Sequence, residues 1–171
     1  MAIYQFYLAV IPKKGLLKLH KQIPKKLNIN IKDDCIESEA EIYWDLERVA
    51  PNGITEKIDK IVSRANWGNN EFNFNWKTYT KRLDNDAWIA INEKTGTINE
   101  FSFRADLREL NLLFLMNMIE LGKQYDWIFM DNKGMLSNPE IEEVKVQIRK
   151  SNAYRFLKDP KNFLEDMDSG K

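Results

Sequence analysis

The sequence predicts an α+β domain, residues 1–171: a mostly antiparallel sheet of about six or seven strands with helices packed on it. Three stretches carry that prediction. Residues 3–11, IYQFYLAVI, are near-continuously apolar and rich in β-formers, the mark of a central strand covered on both faces. Residues 107–121, LRELNLLFLMNMIEL, are apolar nearly all round, so a helix there is largely buried and other elements must wrap it. Between them, residues 71–104 alternate in short runs broken by turn residues, as an antiparallel meander does. A hydrophobic content of 43% over 171 residues is enough for one packed core.

Taken in order, strand 3–11 ends at Pro12, and the basic segment KKGLLKLHKQIPKK follows, helical or irregular, with Pro24 preventing a long helix. Leu27, Ile29 and Ile31 alternate with polar residues as a half-buried strand, and Asp33-Asp34 reads as a turn. Residues 36–47 alternate too: Ile36, Ala40, Ile42, Trp44 and Leu46 share one parity, and Glu37, Glu39, Glu41, Tyr43, Asp45 and Glu47 the other. Ile36, Ala40 and Tyr43 are also spaced for a helix, but Ile42, Trp44 and Leu46 would be spread around it, so strand is preferred. Pro51-Asn52-Gly53 closes this unit, and Ile54, Ile58, Ile61, Val62 and Ala65 mark a helix.

Strands are predicted over 71–79, 87–93 and 97–104, with turns at 84–86 and 94–96. For the buried helix, Asp106 reads as N-cap, Glu109 as its capping-box partner and Gly122 as a left-handed C-terminal residue. A short strand over 125–130, a tight turn at 131–134 and a helix introduced by Asn138-Pro139 follow. Asp159-Pro160 starts a last turn of helix, and 167–171 read as a frayed tail.

Composition narrows the function classes. Formal net charge is zero, which disfavours binding to nucleic acid or anionic membrane through bulk charge. The single Cys35 makes neither an intramolecular disulfide nor a cysteine-based zinc site, and its acidic surroundings oppose a thiolate nucleophile. The lone His20 sits in a Lys-rich segment with no nearby serine, as a surface residue would. Phosphate-binding glycine loops are absent, and the acidic clusters at 84–86 and 131–134 read as turns. No catalytic residue, cofactor or metal is therefore expected, and no enzymatic activity. The N-terminal ten residues lack a signal-peptide pattern, so a cytoplasmic location is expected.

The distribution of charge stands out. Residues 1–32 hold seven lysines and no acid, while residues 33–47 hold seven acids and no base. On a strand, Glu37, Glu39, Glu41, Asp45 and Glu47 would form a carboxylate ladder suited to a basic partner, with Tyr43 as an anchor among the charges. The competing account is a solvated face paired with Lys25, Lys26 and Lys32 across a hairpin. Small, motif-poor α+β chains with a lopsided acidic surface occur among bacterial immunity proteins, which block a toxin by binding it. The expectation is thus a protein-binding module of that antitoxin-like kind. The alternative is a nucleic-acid-binding domain using Lys13 to Lys32 and the aromatic and basic run 72–82.

Overall fold

The structure, a computed structural model, describes residues 3–32, 35–38, 40–78, 80 and 82–168, with backbone alone at 30–32, 35–38 and 167–168. The turn read at Asp33-Asp34, Glu39 of the acidic run, Tyr79 and Lys81 of the aromatic strand, and 169–171 of the tail lie outside the described residues.

Strand β1 (Gln5–Pro12) is the hub. It pairs antiparallel with β6 (Ile98–Asp106) on one side and β7 (Trp127–Met130) on the other. The meander β4 (Asn73–Lys77), β5 (Asp86–Ile91) and β6 extends one flank, and the short β8 (Leu136–Ser137) extends the other. The result is one six-stranded antiparallel sheet in the order β4-β5-β6-β1-β7-β8, the architecture predicted. Alternation along β1 divides its side chains between the faces. Phe6, Leu8 and Val10 enter the larger core cluster, and Ala9 and Ile11 the smaller one. Helices α3 (Ile54–Asp59), α4 (Leu113–Gln124) and α5 (Ile141–Arg149) pack into the larger cluster. The smaller is closed by Leu16 of α1 (Lys13–His20), by Ala40 and Tyr43 of α2 (Ala40–Glu47), and by Leu27.

Strand β2 (Ile29–Lys32) falls where alternation predicts but pairs only with β3 (Cys35–Ser38), in a hairpin separate from the main sheet. The strand expected over 36–47 is corrected here: β3 stops at Ser38, and residues 40–47 are α2. The helical spacing prevails because it buries Ala40, Tyr43 and Trp44 on one face, two of them bulky aromatics that a strand would send to opposite sides. Ile42 and Leu46, assigned by parity to the core, are on the surface.

The core helix is also shorter than expected. Residues 107–112 form turns, α4 starts at Leu113, and Leu112 takes a left-handed conformation at its N-cap. Asp106 ends β6 instead of capping the helix, because its carboxylate is occupied by Arg108 and by the Asp84 N–H. The cap comes from Glu109, whose Oε2 accepts the Phe114 N–H at 3.1 Å. Gly122 lies inside the helix; a Cβ there would sit 2.7 Å from Cζ of Phe129, so it is a close-packing glycine. The burial expected of this helix holds for Phe114, Leu115, Met118, Ile119 and Leu121.

The predicted helix 54–65 ends at Asp59. Beyond it the backbone at Ser63 and Ala65 bonds to β4 through Lys77 N–H and Asn75 C=O. Asn138 bonds to the Glu143 carboxylate ahead of α5. Helix α6 (Asn152–Lys158) was not foreseen, and α7 (Pro160–Asp168) carries helix through 167 and 168 of the expected tail. Among the described residues, no helix is long and apolar enough to cross a membrane.

Candidate docking face

Helix α1 leaves β1 directly at Pro12, which fixes its start beside the sheet. It carries Gly15 at the crossing with α2, so close that a Cβ would meet the Tyr43 carbonyl oxygen. Trp44 fastens α2 from below: it is fully buried, lies edge-on to Trp127 at 6.1 Å, and donates its Nε1–H to the Val10 carbonyl at 3.1 Å. Beside it, the buried Tyr43 holds its hydroxyl 2.8 Å from His20 Nε2. At the C-terminal end, Lys14 and Lys18 reach the Glu47 carboxylate at 3.4 and 3.3 Å, and Lys18 also donates to the Leu46 carbonyl. Cations near those last carbonyls suit the negative end of the helix.

These contacts hold one face of α2, the arc that carries Ala40, Tyr43, Trp44 and Glu47. The opposite face presents Glu41, Ile42, Asp45 and Leu46, two i,i+4 pairs lying side by side. Ile42 is 41% and Leu46 38% exposed, each a large aliphatic group standing among carboxylates. Neither Glu41 nor Asp45 forms an ion pair among the described residues. Glu41 also acts inward: burial, with Glu41 adding to it, raises the Glu100 carboxyl above its ordinary range. Burial and the charge of Glu100 in turn push the Tyr7 hydroxyl up to about 12.

With Glu39 outside the described residues, the other members of the expected ladder and its Tyr43 anchor are dispersed. Glu41 and Asp45 share the outward face of α2, Glu47 turns to α1, and Tyr43 is a core residue rather than an exposed anchor. Glu37 is on β3, opposite Asn30. Among the described residues, the lysines that meet the acidic block are Lys14 and Lys18; of the expected Lys25, Lys26 and Lys32, the first two have backbone bonding toward Leu136 and Met135, and the third is described by its backbone alone. Ile42 and Leu46 were missed because parity placed them inside; the spacing of Ala40 and Tyr43 was the signal that could have found them.

A second polar cluster lies at the end of the sheet. Asp86 binds Arg104 at 2.7 Å and Lys77 at 3.3 Å; Lys77 also meets Asp84. Arg108 binds Asp106 at 2.6 Å and lies 3.4 Å over the Tyr4 ring. Burial alone would raise the Asp106 carboxyl, but the hydrogen bonds from Arg108 and the Asp84 N–H hold it below the usual range. Three cations balance three carboxylates, so the cluster ties β4, β5 and β6 together. It borders a cavity of about 490 Å³ that includes Trp67 and Thr80.

Within the aromatic run 72–82, Phe74 and Trp76 are similarly engaged by the fold. Trp76 is fully buried and donates to Asp59 at 2.7 Å, while the Arg64 guanidinium covers Phe74 and Trp76 at 4.9 and 4.3 Å. Comparisons with protein-family models, curated proteins and solved structures found no match.

Proposed function

We propose that this chain is a non-enzymatic protein-binding module that docks a basic partner on the outward face of α2, with neutralisation of a toxin domain as its most concrete form. The observation that supports it is the juxtaposition of Ile42 and Leu46 with two carboxylates that form no ion pair among the described residues, on a helix pinned along its opposite face. Exposed aliphatic groups offer area to desolvate, the surrounding charge steers and orients the partner, and a pinned helix loses little freedom on binding. An immunity protein needs these properties: fast capture of a basic surface, then slow release.

The test compares the wild-type chain with E41Q/D45N and I42D as baits for a lysate of the source organism. Support requires a basic protein that the wild type retains and both variants lose. For the purified pair, E41Q/D45N should lower the association rate about tenfold at low salt and flatten its salt dependence. I42D should act mainly on dissociation. An unchanged association rate in E41Q/D45N overturns the assignment of this face.

A further inference from the structure

A groove of about 480 Å³ opens between residues 107–112 and helices α5 and α6. Its volume falls within the roughly 300–1,000 Å³ range of ligand sites. Leu107, Leu112, Ile148 and Leu157 give it an apolar floor. Leu110 stands at its rim 99% exposed, a large aliphatic side chain entirely in water at the tip of a turn. The charge around this floor is cationic. Arg149 and Lys158 form no ion pair among the described residues, Lys145 is held by Glu142, and Arg108 by Asp106. The one carboxylate of the lining, Glu109, is turned to the Phe114 N–H and the Asn85 amide.

From this arrangement we propose that the groove is a second docking site, for an acidic amphipathic segment of a partner protein. Apolar side chains of the segment would enter between Leu110 and Leu157, and its carboxylates would meet Arg149 and Lys158. Charge complementarity selects the occupant: an apolar floor alone would accept any hydrophobic group, whereas two cations that form no ion pair among the described residues, Arg149 feeling only the charge of Glu142, favour a chain with carboxylates on one face and aliphatic groups on the other. This site is of opposite sign to the α2 face and built from other elements, so either can fail without the other.

Two fluorescein-labelled helical peptides serve as probes, one with leucines on one face and glutamates on the other, and one with lysines replacing the glutamates. Anisotropy titration should show saturable binding of the Glu–Leu peptide and weaker binding of the Lys–Leu peptide. R149E/K158E should weaken the first by at least about tenfold. Leu110 makes no packing contribution that could unfold the chain, so L110D provides a folded control, and it should weaken the same peptide. Equal binding of both peptides, or full binding to L110D, overturns the proposal. Saturable binding of one oleate with none of the Glu–Leu peptide also overturns it, by identifying a small amphipathic anion as the occupant.

Discussion

Trp44 combines two functions that no other side chain supplies together: a large buried ring against Trp127 and an N–H for the Val10 carbonyl, just beyond Ala9, where the β1–β6 register ends. Trp44→Phe keeps most of the ring but strands that carbonyl in the core, at a cost of about 1–3 kcal/mol. The volume lost adds a cavity penalty, so the total should exceed Trp→Phe losses in a collapsible site, and Trp44→Ala should cost about 3–5 kcal/mol. Chemical denaturation checks both; a loss under about 0.5 kcal/mol for the phenylalanine variant, the range of ordinary surface changes, would show that Trp44 does not anchor α2. Parity put Trp44 inside correctly, yet the same rule sent Ile42 and Leu46 inward and Tyr43 outward. Neighbouring positions alternate on a strand but sit about 100° apart on a helix, where Tyr43 and Trp44 can both be buried.

Among the elements, those with one dominant pattern were legible, and those that depend on distant partners were not. The apolar runs of β1 and β7 and the alternation of β4 to β6 needed no tertiary context. Helix α4 was legible in its body but not at its start, because Asp106 and Glu109 fit a capping-box signature while Arg108 and Asp84 compete for the Asp106 carboxylate. The α1–α2 crossing rests on Gly15, which looks from sequence like a weak point in a helix. An alanine at such a position ordinarily stabilises by about 0.5–1 kcal/mol. Here its Cβ meets the Tyr43 carbonyl, so Gly15→Ala should destabilise instead, by about 1–3 kcal/mol, as overpacking does. The end of α2 predicts the opposite sign. Arg48 is exposed at φ 52° with its N–H bonded to Trp44 O at 2.7 Å, a C-terminal position that favours glycine. Arg48→Gly should gain about 0.5–1 kcal/mol by removing left-handed strain, seen as a higher denaturation midpoint at unchanged slope. Both substitutions have the reverse of their usual sign, so together they test the backbone of the proposed face.

For the whole molecule, zero net charge conceals carboxylates whose responses to pH run in opposite directions. Asp59 and Asp106 are held below their ordinary value of 3.8 by hydrogen bonds from Arg64, Trp76 and Arg108 that outweigh burial. Their contribution is complete above that value and is lost as pH falls through the lower folded values. Glu100 behaves conversely. Burial, reinforced by Glu41, raises it above 4.5, so the folded state holds its proton more tightly than the unfolded chain does. Stability from this group is fullest below 4.5 and declines as pH rises through the folded value, so near neutrality its charge opposes folding. Glu100→Gln should therefore melt higher than the wild type at pH 7, and the two melting curves should converge toward pH 4. Glu41→Gln removes the second cause of the shift, so it should give a smaller rise at pH 7. The Glu41 substitution also tests why that carboxylate is there. If α2 docks a basic partner, the same change that makes the free chain slightly more stable will slow its capture of that partner, a charge kept at the expense of folding. A Glu41→Gln protein no more stable than the wild type at pH 7 would show that Glu41 and Glu100 do not oppose one another in solution.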